Sequence, residues 1–253
     1  MTKKTAFITG STSGIGLGIA RALKKENYNI MLHGIEPPEK VSSLSKELNA
    51  NYYQTDLTDN DSITKLMNDM TSDSEHIDVV INNAGIQHIS PIENFSIEKW
   101  NLILQLNLTA AFIISKTIIP IMKQQKFGRI INIASAHGLV ASPYKAAYVA
   151  AKHGLIGLTK VIALECAGFG ITCNAICPGY VLTALVKKQI PEVAKEKNIT
   201  EEQAINEYFL GAHARKEFVT IEEVAAAVSF IASDQTASIT GISLPIEAGW
   251  TAA

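Results

Sequence analysis

The sequence predicts an α/β fold: a doubly wound parallel sheet of seven strands with helices on both faces. Three observations point there. Short runs rich in β-branched residues alternate with helical patterns along the whole chain. A glycine-rich turn, Thr9-Gly10-Ser11-Thr12-Ser13-Gly14-Ile15-Gly16, closes the first run and opens the first helix. The 253 residues, 47% of them apolar, suffice for one large core, and no Pro/Gly/Ser-rich linker, low-complexity tract or repeat divides them. Residues 1–253 are therefore expected to form a single domain.

In chain order the expected strands are Thr5–Thr9, Asn29–His33, Asn51–Gln54, Asp78–Asn82, Gly128–Ala134, Thr172–Cys177 and Ser243–Ile246. A continuous run of apolar and small residues from about Tyr144 to Gly168 reads as a long buried helix, and a final helix begins near Thr220. Between Pro178-Gly179 and that last helix lies a charged stretch from Lys187 to Glu217, longer than an ordinary connection. It fits either an active-site lid of short helices over 186–218 or a solvated surface insertion.

A net charge of −2 without a basic excess argues against nucleic acid and anionic membrane as partners. No apolar stretch is expected to reach the roughly 20 residues of a membrane span. The N-terminus, Met1-Thr2-Lys3-Lys4, runs into a strand without a signal-peptide core or cleavage site, so a cytoplasmic location is expected. Cys166, Cys173 and Cys177 lie in apolar surroundings and read as reduced core thiols. A metal site is not expected, since neither a second cysteine pair nor His ligands stand at suitable spacing.

The chemistry concentrates around Tyr148. On a helix, Lys145, Tyr148 and Lys152 share a face. An ammonium one turn away favours the phenolate, so Lys152 is expected to lower the tyrosine pKa from about 10 and make the pair a general base. The strand ending at Ala134 delivers Ser135 to the sheet edge where ligands bind, placed to donate to an oxygen that gains charge in the transition state. His137, two residues on along an extended backbone, turns to the same side.

At the N-terminus, Gly10, Thr12, Ser13, Gly14, Ile15 and Gly16 are expected to cradle a dinucleotide pyrophosphate with backbone amides and a helix start. Asp56, just after the third strand, is placed to meet the adenine end; as an alternative it is a helix N-cap, a role Thr58 or Asp59 could also fill. Gly34 stands where an acid for the adenosine 2′-hydroxyl is normal. No Arg or Lys stands there or at Ser11–Ser13 to meet a 2′-phosphate, so NAD is expected over NADP.

Taken in order, Thr9–Gly16, Asn82-Asn83-Ala84-Gly85, Asn107, Ser135, Tyr148 with Lys152, and Pro178-Gly179 followed by Thr183 resemble the short-chain dehydrogenase/reductase family along the whole chain. The resemblance implies a Rossmann-type sheet, Tyr148 as base, Ser135 as partner of the reacting oxygen, and Lys152 also on the nicotinamide ribose. It implies that Asn107 holds a water in a proton relay and that Thr183 meets the nicotinamide amide. Asn83, Ala84 and Gly85 would line the cofactor site, with Leu57, Pro178, Gly179 and Val181 beside it.

Within that family the chain is similar to the bacterial (R)-3-hydroxybutyrate dehydrogenases, through Gln87-His88, Ser135-Ala136-His137-Gly138, Lys145, Cys177 to Thr183, Gln189 and Gly249-Trp250. That similarity implies NAD-dependent interconversion of a small hydroxy acid and keto acid in ketone body metabolism. Gln87, His137, Lys145 and Gln189 would hold a carboxylate while Trp250 closes the pocket. It also implies a homotetramer, to which the apolar helices around Leu102–Ile121 and Val149–Ala167 add support. Tyr180 departs from the Trp expected at its position, and Glu247-Ala248-Gly249 replaces a more usual Asp-Gly-Gly. The rival readings are a 3-oxoacyl thioester reductase of the same family, typically NADP-dependent with an open groove, and a dinucleotide-sensing regulator without catalysis. Against the regulator stand Asn107, Ser135, Tyr148 and Lys152, all intact.

Overall fold

The computed structural model describes residues 3–74 and 76–252. One sheet contains β1 (Thr5–Ile8), β2 (Asn29–Gly34), β3 (Asn51–Gln54), β4 (Val79–Asn82), β5 (Gly128–Ile133), β6 (Ile171–Pro178) and β7 (Ser243–Ile246). Their order is β3-β2-β1-β4-β5-β6-β7, and all neighbours are parallel. Each expected strand is present, with ends shifted by at most one residue. The chain winds outward from β1 to β3, then returns to β4 and winds the other way. The β1–β4 boundary is thus the switch point beyond which a crevice opens.

The helices are α1 (Gly14–Lys25), α2 (Pro38–Leu48), α3 (Asn60–Asp73), α4 (Ile97–Leu104), α5 (Ala110–Gln125), α6 (Ala146–Cys166), α7 (Ala184–Lys197), α8 (Glu201–Gln203) and α9 (Ile221–Ala232). Successive strand residues point to opposite faces. Ile8, Leu32, Ile81 and Ile176 meet Ile19 and Leu23 of α1 and Val224 and Val228 of α9. Phe7, Val80, Ile130 and Cys173 meet Met67 of α3, Ile114 and Ile118 of α5, and Ile162 of α6. Coverage of both faces explains why these strands read as continuous apolar runs rather than alternating ones. Cys166, Cys173 and Cys177 are all buried.

One expectation is corrected. The helical stretches Ile97–Gln125 and Ala146–Phe169 are long and apolar enough, by length and composition, to cross a membrane. Both instead lie along the sheet, with Ile114, Ile118, Met122, Ile162 and Cys166 in the core, so their apolarity serves packing. The charged stretch is helical. α7, α8 and a π turn over Ala204–Phe209 close around Ile190, Val193, Ala194, Phe209 and Leu210, while Lys187, Lys188, Glu192 and Lys195 face solvent.

Candidate active site

At the carboxyl edge of the sheet two adjoining clefts open, sharing Ser13, Asn83, Gly85 and Ile86 as their common wall. The first, about 930 Å³, is lined by Gly10, Thr12, Ser13, Gly34, Glu36, Asp56, Leu57 and Ala84. The second, about 320 Å³, brings together Gly14, Ile15, Gln87, Asn107, Ser135, His137, Lys145, Tyr148, Lys152, Pro178, Gly179, Val181, Thr183, Gln189 and Trp250. Residues from seven separate stretches of sequence thus line one cleft.

The glycine turn is shaped by its backbone. Gly10 and Gly14 sit at φ +61° and +56°, where a side chain would be strained. A Cβ on Gly14 would meet only the Thr183 side chain, at 3.7 Å, so the space above the start of α1 is open. Gly16 is the exception among the expected contacts: it lies beneath the turn, buried, where a Cβ would come within 2.3 Å of the Gly10 carbonyl. Its task is close packing of helix on loop. Asn83 also faces inward, its amide donating to the Thr9 and Gly10 carbonyls at 2.9 and 3.0 Å.

His33, which the sequence reading passed over, braces both walls of the first cleft. Its Nδ1 accepts from the Gly10 N–H at 3.1 Å, and its Nε2 lies 3.1 Å from the Thr55 carbonyl. Burial pulls its pKa down to about 4, which keeps the ring neutral and able to accept.

Glu36 also lines this cleft, a residue the sequence pattern does not single out because it stands two positions beyond Gly34, where the acid is normal. A Cβ on Gly34 would stand 2.5 Å from Glu36 Oε2, so this carboxylate folds back into the place left by the glycine. Thr12 Oγ1 donates to it at 3.0 Å and the Ile35 N–H at 3.1 Å. Asp56 is exposed at the cleft and accepts from Thr58 N–H and Oγ1, whereas Asp59 caps α3 through the Ser62 N–H. That settles the capping alternative in favour of Asp59.

In the second cleft Ser135 caps a 3₁₀ turn over Ala136–Gly138, its Oγ accepting from the His137 N–H at 3.1 Å. This turn, rather than extended backbone, brings His137 to the same side. The His137 ring lies against the Ser142 hydroxyl at 2.9 Å, and burial, aided by Lys145, lowers its pKa to about 3. Lys145 likewise reaches the pocket by another route than expected: it precedes α6 as its N-cap residue, turned inward after Tyr144 at φ +67°. Its ammonium is buried, donates to the Tyr180 hydroxyl at 2.7 Å, and has its pKa lowered to about 8 by burial.

The expected tuning of Tyr148 by Lys152 is corrected. Burial pushes the Tyr148 phenol above its ordinary value, with only the Ser135 hydroxyl pulling the other way. Lys152 Nζ donates to the Ile133 carbonyl at 2.8 Å and lies 5.6 Å from the Tyr148 ring centroid, and burial brings its own pKa down to about 8. Removal from water disfavours the phenolate, and this desolvation outweighs the pull of the Ser135 hydroxyl. Asn107 sits in a π turn over Gln105–Thr109 between α4 and α5. Its amide donates to the Ile86 and Ile103 carbonyls, and its buried Oδ1 has no hydrogen-bond partner among the described residues.

A left-handed glycine turn at a helix start, continuous with a pocket holding a phenol, a hydroxyl and an ammonium, is the architecture of dinucleotide-linked carbonyl chemistry. Comparison with known proteins agrees. A family model described as "Enoyl-(Acyl carrier protein) reductase" matches residues 10–251. The D-beta-hydroxybutyrate dehydrogenase of Rhizobium meliloti (strain 1021) is 48% identical, covering 98% of this chain and 99% of its own. That of Cupriavidus necator is 44% identical, covering 98% of each. An actinorhodin polyketide ketoreductase variant solved with NADPH superimposes with a TM-score of 0.91 at 30% identity, covering 98% of this chain and 97% of its own. A nicotinamide dinucleotide is the cofactor this site serves, and the chain belongs to the short-chain dehydrogenase/reductase family.

Proposed function

We propose that the protein is an NAD-dependent dehydrogenase interconverting (R)-3-hydroxybutyrate and acetoacetate. The observation that carries this reading is the buried Lys145 ammonium in one pocket with Ser135 and Tyr148, beside Gln87, His137 and Gln189. A buried cation facing a pocket calls for an anion, and a carboxylate is the anion a small hydroxy acid offers. The names of the two hydroxybutyrate dehydrogenase relatives support the same substrate.

When bound, the nicotinamide dinucleotide supplies the hydride acceptor or donor. The chain's own residues do the rest. Ser135 donates a hydrogen bond to the reacting oxygen, and Tyr148 gives or takes the one proton on that oxygen. Lys145 and the two glutamines orient the carboxylate, which fixes C3 relative to Tyr148. Trp250 and the helical segment carrying Gln189 exclude water.

Support for NAD over NADP comes from Glu36. Its carboxylate occupies the site left by Gly34, where it can accept from a 2′-hydroxyl and repels a 2′-phosphate. Lys65 also lines that cleft, alongside Asp56 and Asp69. A homotetramer is part of the proposal, supported by exposed Phe112, Val161, Leu164 and Phe169 on and beside α5 and α6. The thioester-reductase reading fits the carrier-protein wording of the family model. It leaves Lys145 facing a neutral arm, which is the weaker match.

The test is a substrate panel of free 3-hydroxybutyrate, its methyl ester and a 3-hydroxyacyl thioester, each with NAD and NADP. The free acid with NAD is expected to lead, with the ester at least about tenfold lower in kcat/KM. Equal turnover of the ester, or better turnover of the thioester, removes the carboxylate assignment; a preference for NADP removes the Glu36 argument.

A further inference from the structure

We propose that Tyr180 is part of the carboxylate receptor: its hydroxyl holds the Lys145 ammonium in position and directs its own proton to the substrate anion. This rests on the reading of the substrate as a carboxylate. Lys145 is 3% exposed, and its bond to Tyr180 Oη, 2.7 Å long, is the one hydrogen bond its ammonium makes among the described residues. An ammonium has three donors, so two stay open toward the pocket that both side chains line. A phenol oxygen that accepts from a cation has its own proton left over. No acceptor for the Tyr180 proton is found among the described residues. The pair therefore presents two N–H groups and a polarised O–H together, a donor set suited to a carboxylate.

The oxygen is positioned by aromatic packing. The Tyr180 ring stacks on Trp250 with centroids 5.7 Å apart and an interplanar angle of 6°, and meets Phe209 edge-on at 5.2 Å and His213 at 6.1 Å. All these contacts belong to the ring. Phenylalanine would keep them, so the hydroxyl is separable from the packing. The titratable groups that line the same pocket as Lys145 are His137 from the 3₁₀ turn, Tyr148 and Lys152 from α6, and Tyr180 after β6, of which Tyr180 bonds the ammonium. Accepting from the ammonium, the Tyr180 oxygen favours its charged form; without that oxygen, Lys145 loses its proton at lower pH.

The experiment compares wild type with Y180F for kcat/KM on 3-hydroxybutyrate and on its methyl ester across pH 6.5 to 9.5, alongside NADH affinity and Tm. Y180F is expected to lose about tenfold or more with the acid, mainly through KM, while the ester, NADH affinity and Tm hold. The alkaline limb of the acid profile should move to lower pH. An unchanged acid-to-ester ratio and an unmoved limb in Y180F overturn the proposal while leaving the carboxylate reading intact. A wild type that does not distinguish acid from ester overturns the carboxylate reading and the proposal together. Y180F added to K145M gives an independent check: non-additive losses support a shared receptor, and additive losses overturn it.

Discussion

Burial raises the Tyr148 pKa against the opposing pull of the Ser135 hydroxyl, so the phenol is neutral at pH 7. It therefore starts as a proton donor, suited to the keto acid, and must be deprotonated to accept from the hydroxy acid. Tyr148→Phe should abolish turnover in both directions while dinucleotide titration stays near wild type. Substantial residual activity would remove Tyr148 from its role. For oxidation, kcat/KM should rise with pH as Tyr148 deprotonates. It should then fall above pH about 8, because Lys145 and Lys152 carry charge below their lowered pKa values and lose it above them. A profile flat from pH 7 to 9.5 would contradict both assignments.

Among the elements, the β1–α1 turn is held from three sides: by His33 through Gly10, by Asn83 through two carbonyls, and by Gly16 from beneath. Gly16→Ala forces a methyl to within 2.3 Å of the Gly10 carbonyl unless the turn shifts. We expect a loss of about 1–3 kcal/mol in stability and at least tenfold in dinucleotide affinity. Denaturant unfolding and a fluorescence titration measure the two separately. Unchanged affinity would mean that the turn has slack the packing does not suggest. The π turn between α4 and α5 is the other element tied to the site, since it carries Asn107 inward.

Across the whole molecule, two buried histidines link folding to acidity. His33 and His137 have pKa values lowered to about 4 and about 3, against 6.5 when unfolded. Their neutral forms cost nothing above pH 6.5. As pH falls below it the unfolded chain takes up protons first, and stability is lost; His33 alone accounts for roughly 2–3 kcal/mol by pH 4. Unfolding series at pH 7 to 4 should therefore slope more steeply for wild type than for His33→Gln, and parallel slopes would refute the linkage. At the scale of assembly, light scattering at micromolar concentration should return four chains. A monomer would leave Leu164, 85% exposed, and its apolar neighbours without the partner proposed for them.

The seven strands and the long helices were legible in the sequence because periodicity and turn residues are local properties, and buried parallel strands announce themselves as apolar runs. The candidate catalytic set could also be named from the sequence, since Ser135, Tyr148 and Lys152 stand at a strand end and on a helix, and the structure places all three in one cleft. What the sequence could not decide were quantities that depend on neighbours from elsewhere in the chain. Glu36 fills the space of Gly34 only because β2 ends against Thr12 and Tyr52. Lys145 enters the pocket through a left-handed residue before the helix, and its partner Tyr180 is 35 positions away. The charge state of Tyr148 turns on desolvation against a hydrogen bond from Ser135, a balance between burial and pairing that exists only once the chain is folded.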